Sequence, residues 1–429
     1  MTHLGVEIQR IRSSSLARNA GWMLIGQGVN VVLRAGYFIL LARLLGVREY
    51  GIFAGAFAFV SLATPYSGLG SGLLFMRYVS ADADNFADYW GNILFATIGA
   101  GLLLAVVLYV LASHLLNPAS ASVALPVALG ECIFRQLVIC TGQVFQAFEQ
   151  LRLTAITGLL TSSLRLFAVV VMALLLHKAT AWQWALWSLA VSVLAAIAGC
   201  GFVLTRFGRP RFAPSLFFLR FGEGFNFSIA GSTQSVYNDI DKTMLSHYGM
   251  NVANGIYSMA YRLVDIATIP IIALDAAVLP RFFRRGAHSA SSVIDLSSRL
   301  AKRGALLGIA MAVVMFTAAP TIPHIIGRGF QESVSALRWL CLIPAFRGVH
   351  QLTGSAITGL GYQRYRTTAQ FAAAAFNFGL NLWLIPRYGW VGAAWSSLAT
   401  DGSLGVTNWI VARSLPARIA RGRSDEDAD

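Results

Sequence analysis

Residues 42–53, ARLLGVREYGIF, set Arg43, Arg48 and Glu49 between two long apolar segments. Charged side chains are tolerated at the boundary between membrane and water and are strongly disfavoured within the hydrocarbon. The two glycines of this segment permit a tight reversal of the chain. The segment therefore predicts the first outward-facing turn, joining two membrane-spanning helices.

The composition is that of an integral membrane protein. Hydrophobic residues make up 56% of the 429 residues and charged residues 12%, and the mean hydropathy is +0.63. Soluble globular domains are less apolar and carry about 25% charged residues. Apolar segments close to the ~20 residues that a helix needs to cross the hydrocarbon recur along the chain. The longest polar interruption, around 281–303, is too short to form a soluble core.

The apolar segments predict twelve membrane-spanning helices and hence an all-α integral membrane fold. The predicted spans are 18–42, 50–76, 88–112, 121–147, 153–177, 182–205, 222–246, 252–280, 303–323, 334–359, 365–385 and 390–412. The start of the chain is too polar for a secretory signal, so the first span is expected to stay in the protein.

The spans group into two bundles of six helices, and the connecting segments complete the predicted organisation. The first bundle covers 18–206 and the second covers 222–414, with a cytoplasmic linker at 207–221. A cytoplasmic N-terminal segment, 1–17, precedes them. A polar cytoplasmic tail, 415–429, follows them, and its composition predicts disorder.

The distribution of Lys and Arg predicts the orientation in the membrane. With the N-terminus placed in the cytoplasm, the inner segments hold 21 of the 33 Lys and Arg residues and the outer segments hold 5. This asymmetry agrees with an even number of spans and predicts that both termini are cytoplasmic. It also accounts for the net charge of +14, because the cations form rims rather than a continuous face for nucleic acid. No nucleic-acid partner is predicted.

The second half of the chain repeats features of the first. An offset of 204 residues aligns GIF at 51–53 with GIY at 255–257, and an offset of 212 aligns FR at 134–135 with FR at 346–347. A run of matches at nearly constant offset indicates an internal repeat. Two parallel repeats of six spans are related by an axis along the membrane normal, an arrangement found in transporters. The repeat therefore favours transport by alternating access.

Four segments resemble a known family. They are ARLLGVREYGIF at 42–53, SGLGSGLLFMRYVS at 67–80, DKTMLSHYG at 241–249 and NGIYSMAYRL at 254–263. Together with the twelve spans, they resemble the polysaccharide transport family, the Wzx-type lipid-linked oligosaccharide flippases. This family is a branch of the multidrug/oligosaccharidyl-lipid/polysaccharide exporter superfamily.

The resemblance implies a MATE-like, V-shaped pair of six-helix bundles in the inner membrane of a bacterium. It implies that the protein moves an undecaprenyl-diphosphate-linked oligosaccharide from the cytoplasmic to the periplasmic leaflet. The product would serve the biosynthesis of O-antigen, capsule or exopolysaccharide. The implied partners are the lipid-linked glycan, membrane lipids and other polysaccharide assembly proteins.

Charged side chains lie within several predicted spans, where they normally face a cavity or a partner. The cations that are candidates for substrate binding are Arg34, Arg135, Arg165, Lys242, Arg262 and Arg347. The acids that are candidates for ion coupling, or for counter-ions, are Asp239, Asp241, Asp265 and Asp401. Fixed guanidinium groups offer charge-assisted, bidentate contacts to a diphosphate or an acidic sugar.

A structural interpretation of the same charges stays open. Three pairs have the spacing of three or four residues that brings side chains together on a helix: Glu131–Arg135, Asp239–Lys242 and Arg262–Asp265. The resemblance to the polysaccharide transport family also implies that Asp241 and Lys242 match an Asp-Lys/Arg pattern in the seventh helix of that family.

Three arginines, Arg34, Arg165 and Arg347, have no acid within four residues on their own helix. They either line a cavity or pair with acids on neighbouring helices, such as Asp275 or Asp401. The excess of embedded cations over acids is too small to predict a strongly cationic lumen.

The sequence carries no catalytic, metal or cofactor motif. Its four cysteines are dispersed without CxxC spacing, and neither HExxH nor GxSxG occurs. The chain is therefore predicted not to be an enzyme and to need no cofactor or metal.

Two alternatives to the flippase stay open: a cation-coupled multidrug exporter of the same superfamily and a membrane-embedded glycan polymerase or ligase. The short outer loops disfavour the polymerase or ligase.

Overall fold

The computed structural model of the protein describes residues 3–286 and 289–426, and every regular element in these residues is helical. The helices are α1 (His3–Ser61), α2 (Ser71–Val79), α3 (Phe86–Leu115), α4 (Pro118–Leu129), α5 (Gln136–Ala147), α6 (Leu151–Leu175), α7 (Ala181–Phe207), α8 (Pro214–His247), α9 (Asn251–Gly286), α10 (Ala290–Ala318), α11 (Ile322–Ile325), α12 (Ser333–Leu340), α13 (Ile343–Gly359), α14 (Gln363–Tyr388) and α15 (Trp390–Glu426). The all-α prediction is confirmed. Residues 1–2 of the predicted N-terminal segment and 427–429 of the predicted tail lie outside the described residues.

The segment 42–53 contains the break that its composition predicts. α1 consists of two helical stretches that meet at a kink at Gly46, which has φ +73° and ψ 171°. A side chain would strain this backbone conformation, which explains the glycine. The carboxylate of Glu49 accepts a hydrogen bond of 2.8 Å from the backbone N–H of Ala181, the first residue of α7. The negative charge of Glu49 therefore lies at the N-terminus of α7, the positive end of the helix dipole.

Seven helical stretches of the described residues are long and apolar enough to cross a membrane. They are Gly26–Ser61, Ala83–Leu115, Pro118–Ala147, Leu151–Leu175, Ala181–Phe207, Asn251–Gly286 and Ala290–Ile325. Every one of the twelve predicted spans overlaps a helix. Four predicted spans are absent from the seven. Those at 222–246, 365–385 and 390–412 correspond to more polar helices, and the one at 334–359 is interrupted between α12 and α13. The chain is a multi-pass membrane protein.

The C-terminal tail differs from its prediction. α15 continues to Glu426, so the backbone is helical across most of the segment, 415–429, that was predicted to be disordered. The tail holds alanine and arginine, which favour a helix, but also Pro416 and Gly422, which disfavour one, so intrinsic propensity does not explain this helix.

The chain forms two compact units, Met1–Ser232 (unit 1) and Thr233–Asp429 (unit 2), and the division falls inside α8. In unit 1, the fully buried Trp184 of α7 lies with its ring centroid 5.6 Å from that of Tyr37 and 6.3 Å from that of Phe53. These aromatic contacts pack α7 against both stretches of α1. The predicted bundle limits, 18–206 and 222–414, stay a prediction.

In unit 2, small residues let α10 and α13 approach closely. A Cβ atom on Gly348 of α13 would lie 2.5 Å from the backbone carbonyl carbon of Gly304 in α10. Such small-residue contacts are typical of helices packed within membranes. They hold α13, which carries Arg347, firmly against its neighbour.

Cysteine labelling on either side of α10 tests the predicted orientation. α10 has 29 residues, which at 1.5 Å per residue is about 44 Å and exceeds the ~30 Å of hydrocarbon. Ser291, at the start of this helix, and Gln331, beyond its end, are both exposed. We expect a membrane-impermeant maleimide to label Gln331→Cys in intact spheroplasts and Ser291→Cys only after permeabilisation. The reverse pattern would overturn the orientation.

Candidate functional site

Four helices of unit 2 place polar side chains together in a buried charged cluster. Tyr257, Tyr261 and Asp265 follow at intervals of four and share one face of α9, while Arg347 and His350 share a face of α13. α8 and α15 complete the arrangement. We call this set the unit 2 cluster: Asp239, Asp241, Lys242, Tyr257, Tyr261, Arg262, Asp265, Arg347, His350, Ser397 and Asp401.

Arg347 lies at the centre of the cluster, and its side chain is only 7% exposed. One Nη donates to Oδ1 of Asp265 at 3.1 Å, and the other donates to the hydroxyl of Tyr261 at 2.7 Å. Its Nε has no hydrogen-bond partner among the described residues and lies 3.9 Å from Oδ2 of Asp401. Arg347 is thus paired with acids of α9 and α15, which is the structural interpretation left open above.

Asp401 is shared between Arg347 and a histidine. Its Oδ1 lies 3.2 Å from Nε2 of His350, so the tautomer with a proton on Nε2 donates to the carboxylate. Both side chains are buried. Asp275, the other acid considered as a partner on a neighbouring helix, instead accepts a hydrogen bond of 3.0 Å from the hydroxyl of Ser355.

Lys242 and Asp241 form the second half of the cluster. Nζ of Lys242 donates to Oδ1 of Asp239 at 2.8 Å and lies 4.2 Å from the ring centroid of Tyr261. Asp241 is completely buried, and it accepts hydrogen bonds from Tyr257 and, at 3.1 Å, from Ser397. A buried carboxylate needs such donors, because an unsatisfied charge in this environment is strongly unfavourable.

The charges of the unit 2 cluster nearly cancel. Arg262 completes the set, with a guanidinium nitrogen 4.0 Å from Asp265, and both of these side chains are partly exposed. Three cations face four carboxylates, so the formal charge is −1 while His350 is neutral. The cluster is therefore a compensated network rather than a cationic surface.

Unit 1 has a smaller cluster built on one carboxylate. Glu131, 6% exposed, accepts from Arg135 at 2.5 Å and from Arg165 of α6 at 3.0 Å. Glu131 and Arg135 lie in a π-helical segment, Gly130–Arg135, between α4 and α5. The predicted pair on one helix is present, and Arg165 joins it from the neighbouring helix.

The predicted candidates therefore fall into three groups. Lys242, Arg262 and Arg347 are brought together in unit 2, along with all four predicted aspartates. Arg135 and Arg165 meet at Glu131 in unit 1. Arg34, also in unit 1, is exposed on α1.

Four members of the unit 2 cluster were missed from the sequence: Tyr257, Tyr261, His350 and Ser397. The interval of four that connects both tyrosines to Asp265 was a usable signal for a polar face on α9. His350 gave no such signal, because its burial depends on the packing of α13 against α15. Among the described residues, no group of three or more His, Cys, Asp or Glu side chains has the geometry of a metal site.

Comparison with known families agrees with the resemblance found in the sequence. Residues 16–285 match the family described as polysaccharide biosynthesis protein, which is more than half of the chain. No curated protein matches the chain.

Solved structures with a similar fold are transporters. A multidrug resistance MATE family transporter of the MOP superfamily in an inward-facing conformation has a TM-score of 0.78 at 13% identity, over 95% of this chain and 99% of that one. An outward-facing structure of such a transporter has a TM-score of 0.65 at 13% identity, over 95% and 96%. The MATE multidrug transporter DinF-BH, in a ligand complex, has a TM-score of 0.62 at 18% identity, over 94% and 95%.

At these identities the likeness shows the fold alone. The match over 16–285 supplies the family. The chain therefore belongs to the polysaccharide biosynthesis protein family and is a multi-pass membrane protein with the fold of the MATE transporters of the MOP superfamily.

Proposed function

We propose that this protein translocates an undecaprenyl-diphosphate-linked oligosaccharide from the cytoplasmic to the periplasmic leaflet of a bacterial inner membrane. The glycan would enter the biosynthesis of a surface polysaccharide such as O-antigen, capsule or exopolysaccharide. The observation that carries the proposal is the family match over 16–285. The transporter fold supports movement of a substrate rather than chemistry upon it.

Embedded arginines support an anionic substrate. A diphosphate that crosses a region of low dielectric needs fixed cations, and guanidinium groups bind it bidentately. We assign the direct contacts to Arg34, Arg135 and Arg262, because their side chains are exposed or partly exposed and an anion can therefore reach them. We assign a supporting role to the less exposed cations, Arg165, Lys242 and Arg347.

The four aspartates act in this proposal as counter-ions, and as candidates for ion coupling. Asp239, Asp241 and Asp401 are each hydrogen-bonded within the unit 2 cluster. Asp265 is the most accessible of the four, with 42% of its side chain exposed. An incoming anion that attracts Arg262 would therefore compete first with Asp265.

A cation-coupled multidrug exporter is the second candidate function. The solved structures of similar fold are described as multidrug transporters. The compensated charge of the unit 2 cluster is compatible with a cationic drug as well as with an anionic glycan, and it therefore does not distinguish the two functions. The family match over 16–285 favours the first proposal.

Deletion of the gene tests the two functions together. We expect undecaprenyl-linked glycans to accumulate on the cytoplasmic face of the inner membrane, while cellular uptake of the cationic dye ethidium stays at the level of the parent strain. Complementation with the intact gene should restore the distribution of glycans. An unchanged distribution together with a rise in cellular ethidium would overturn the flippase in favour of the exporter.

A further inference from the structure

A cleft lies within unit 1, where the first turns of α8 pack against α2 and α3. Its apolar wall includes Leu74 of α2 and Leu216, Phe217 and Phe221 of α8, and its polar groups include Tyr89 and Arg220. An apolar wall beside a single cation is the chemistry of a site for an amphiphile with an anionic head.

The guanidinium of Arg220 lies 4.5 Å from the ring centroid of Tyr78 and is hydrogen-bonded to Tyr89, but its charge is only partly compensated. Its Nε is buried and has no hydrogen-bond partner among the described residues. One Nη lies 3.9 Å from Glu223, beyond hydrogen-bonding distance. Glu223 is already engaged by Arg77 at 2.5 Å and by the hydroxyl of Tyr78 at 2.9 Å. Two cations thus share one carboxylate, and Arg220 is the one without a hydrogen bond to it.

The surroundings of Arg220 are those expected at the level of lipid headgroups. Phe218 and Leu219, the two residues before it, are 71% and 74% exposed. The segment before α8 is basic and carries Arg209 and Arg211. A basic segment followed by exposed apolar side chains is the pattern of a membrane interface, where lipid phosphates lie.

We propose that this cleft binds an anionic phospholipid from the adjacent leaflet. The lipid phosphate accepts hydrogen bonds from the guanidinium of Arg220, and the first carbons of an acyl chain lie against Leu216, Phe217 and Leu74. Charge complementarity selects an anion, and the apolar wall selects a lipid over a soluble anion. The site is independent of the proposed transport function, since it needs only unit 1 and the bilayer.

Native mass spectrometry of the purified full-length protein, titrated with phosphatidylglycerol in detergent, tests the site. We expect Arg220→Gln to weaken binding of this lipid about tenfold, the usual effect of losing a hydrogen bond to a charged group. Phe217→Ala should weaken it several-fold through the chain contact alone. Arg209→Gln, an exposed arginine outside the cleft, is the matched control and should bind as the unmodified protein does.

Two further ligands identify the source of the phosphate. Diacylglycerol, which has no phosphate, should bind equally to the unmodified protein and to Arg220→Gln, and millimolar inorganic phosphate should not displace phosphatidylglycerol. Equal phosphatidylglycerol binding by the unmodified protein and Arg220→Gln, or an equal loss in Arg209→Gln, would overturn the site. Displacement by inorganic phosphate would overturn its assignment to a lipid.

Discussion

Replacement of Arg347 by alanine is expected to destabilise the folded protein by about 3–5 kcal/mol, the usual cost of removing one partner from a buried ion pair. The guanidinium donates to Asp265 and Tyr261 and lies 3.9 Å from Asp401. Without it, Asp401 stays buried with His350 as its remaining partner. Thermal unfolding of the detergent-purified variant, followed by tryptophan fluorescence, measures the loss.

Three further variants separate charge from simple truncation at Arg347. Arg364→Ala removes an exposed arginine from the same unit and should leave the unfolding temperature unchanged. Arg347→Lys keeps the charge without the fork of donors and should be intermediate. The double variant Arg347→Met with Asp401→Asn should recover part of the loss, because it leaves no uncompensated carboxylate at that position. Unfolding of Arg347→Ala at the normal temperature would contradict the pairing.

Replacement of Arg34 by alanine is expected to reduce export of the lipid-linked glycan about tenfold or more, which corresponds to the loss of a hydrogen bond to a charged group. Arg34 is exposed although it lies within the apolar stretch Gly26–Ser61. An exposed cation at membrane depth normally faces water or a polar surface rather than lipid tails. The amount of folded protein should therefore stay normal, in contrast to Arg347→Ala.

The measurement is complementation of the deletion strain, with surface glycan and protein level quantified together. Arg34→Lys should restore export in part if the charge alone matters, and poorly if bidentate geometry matters. Arg43→Ala, an exposed arginine of the same helix at the predicted membrane boundary, is the matched control. Normal export by Arg34→Ala would contradict the role assigned to Arg34 in binding the substrate, but it would not affect the conclusions on the fold and the family.

The helices were predictable because apolar segments of membrane length allow few other structures. The break at Gly46 followed from charge and glycine within 42–53, and the contact between Glu131 and Arg135 followed from their spacing. The role of the polar residues in α8 and α15 was harder to predict. These helices supply Asp241 and Asp401 to the unit 2 cluster, and such polar side chains lower the mean hydropathy of a sequence window without showing that they are buried together.

The partners of the arginines were beyond the sequence. The sequence left two interpretations open for Arg165 and Arg347, a position lining a cavity and an ion pair with an acid on another helix. Only the packing of the helices distinguishes the two interpretations. Packing places Glu131 beside Arg165, and Asp265 and Asp401 beside Arg347. It leaves Arg34 exposed. Arginines that look alike in sequence thus differ in exposure: Arg347 is buried, Arg165 is partly buried and Arg34 is exposed.

The π-helical segment Gly130–Arg135 makes this part of the chain tolerant of a change in length. A π turn holds one residue more than an α turn, so deletion of one residue there would restore a regular α-helix and leave α5 in nearly its present rotation relative to α4. Val127 and Ala128 pack beside Ala181 on one side of the segment, while Leu137 and Val138 pack beside Ala195 on the other. Both sets of contacts would survive such a deletion. A deletion between Glu131 and Arg135 would instead alter the spacing of four residues on which their contact depends.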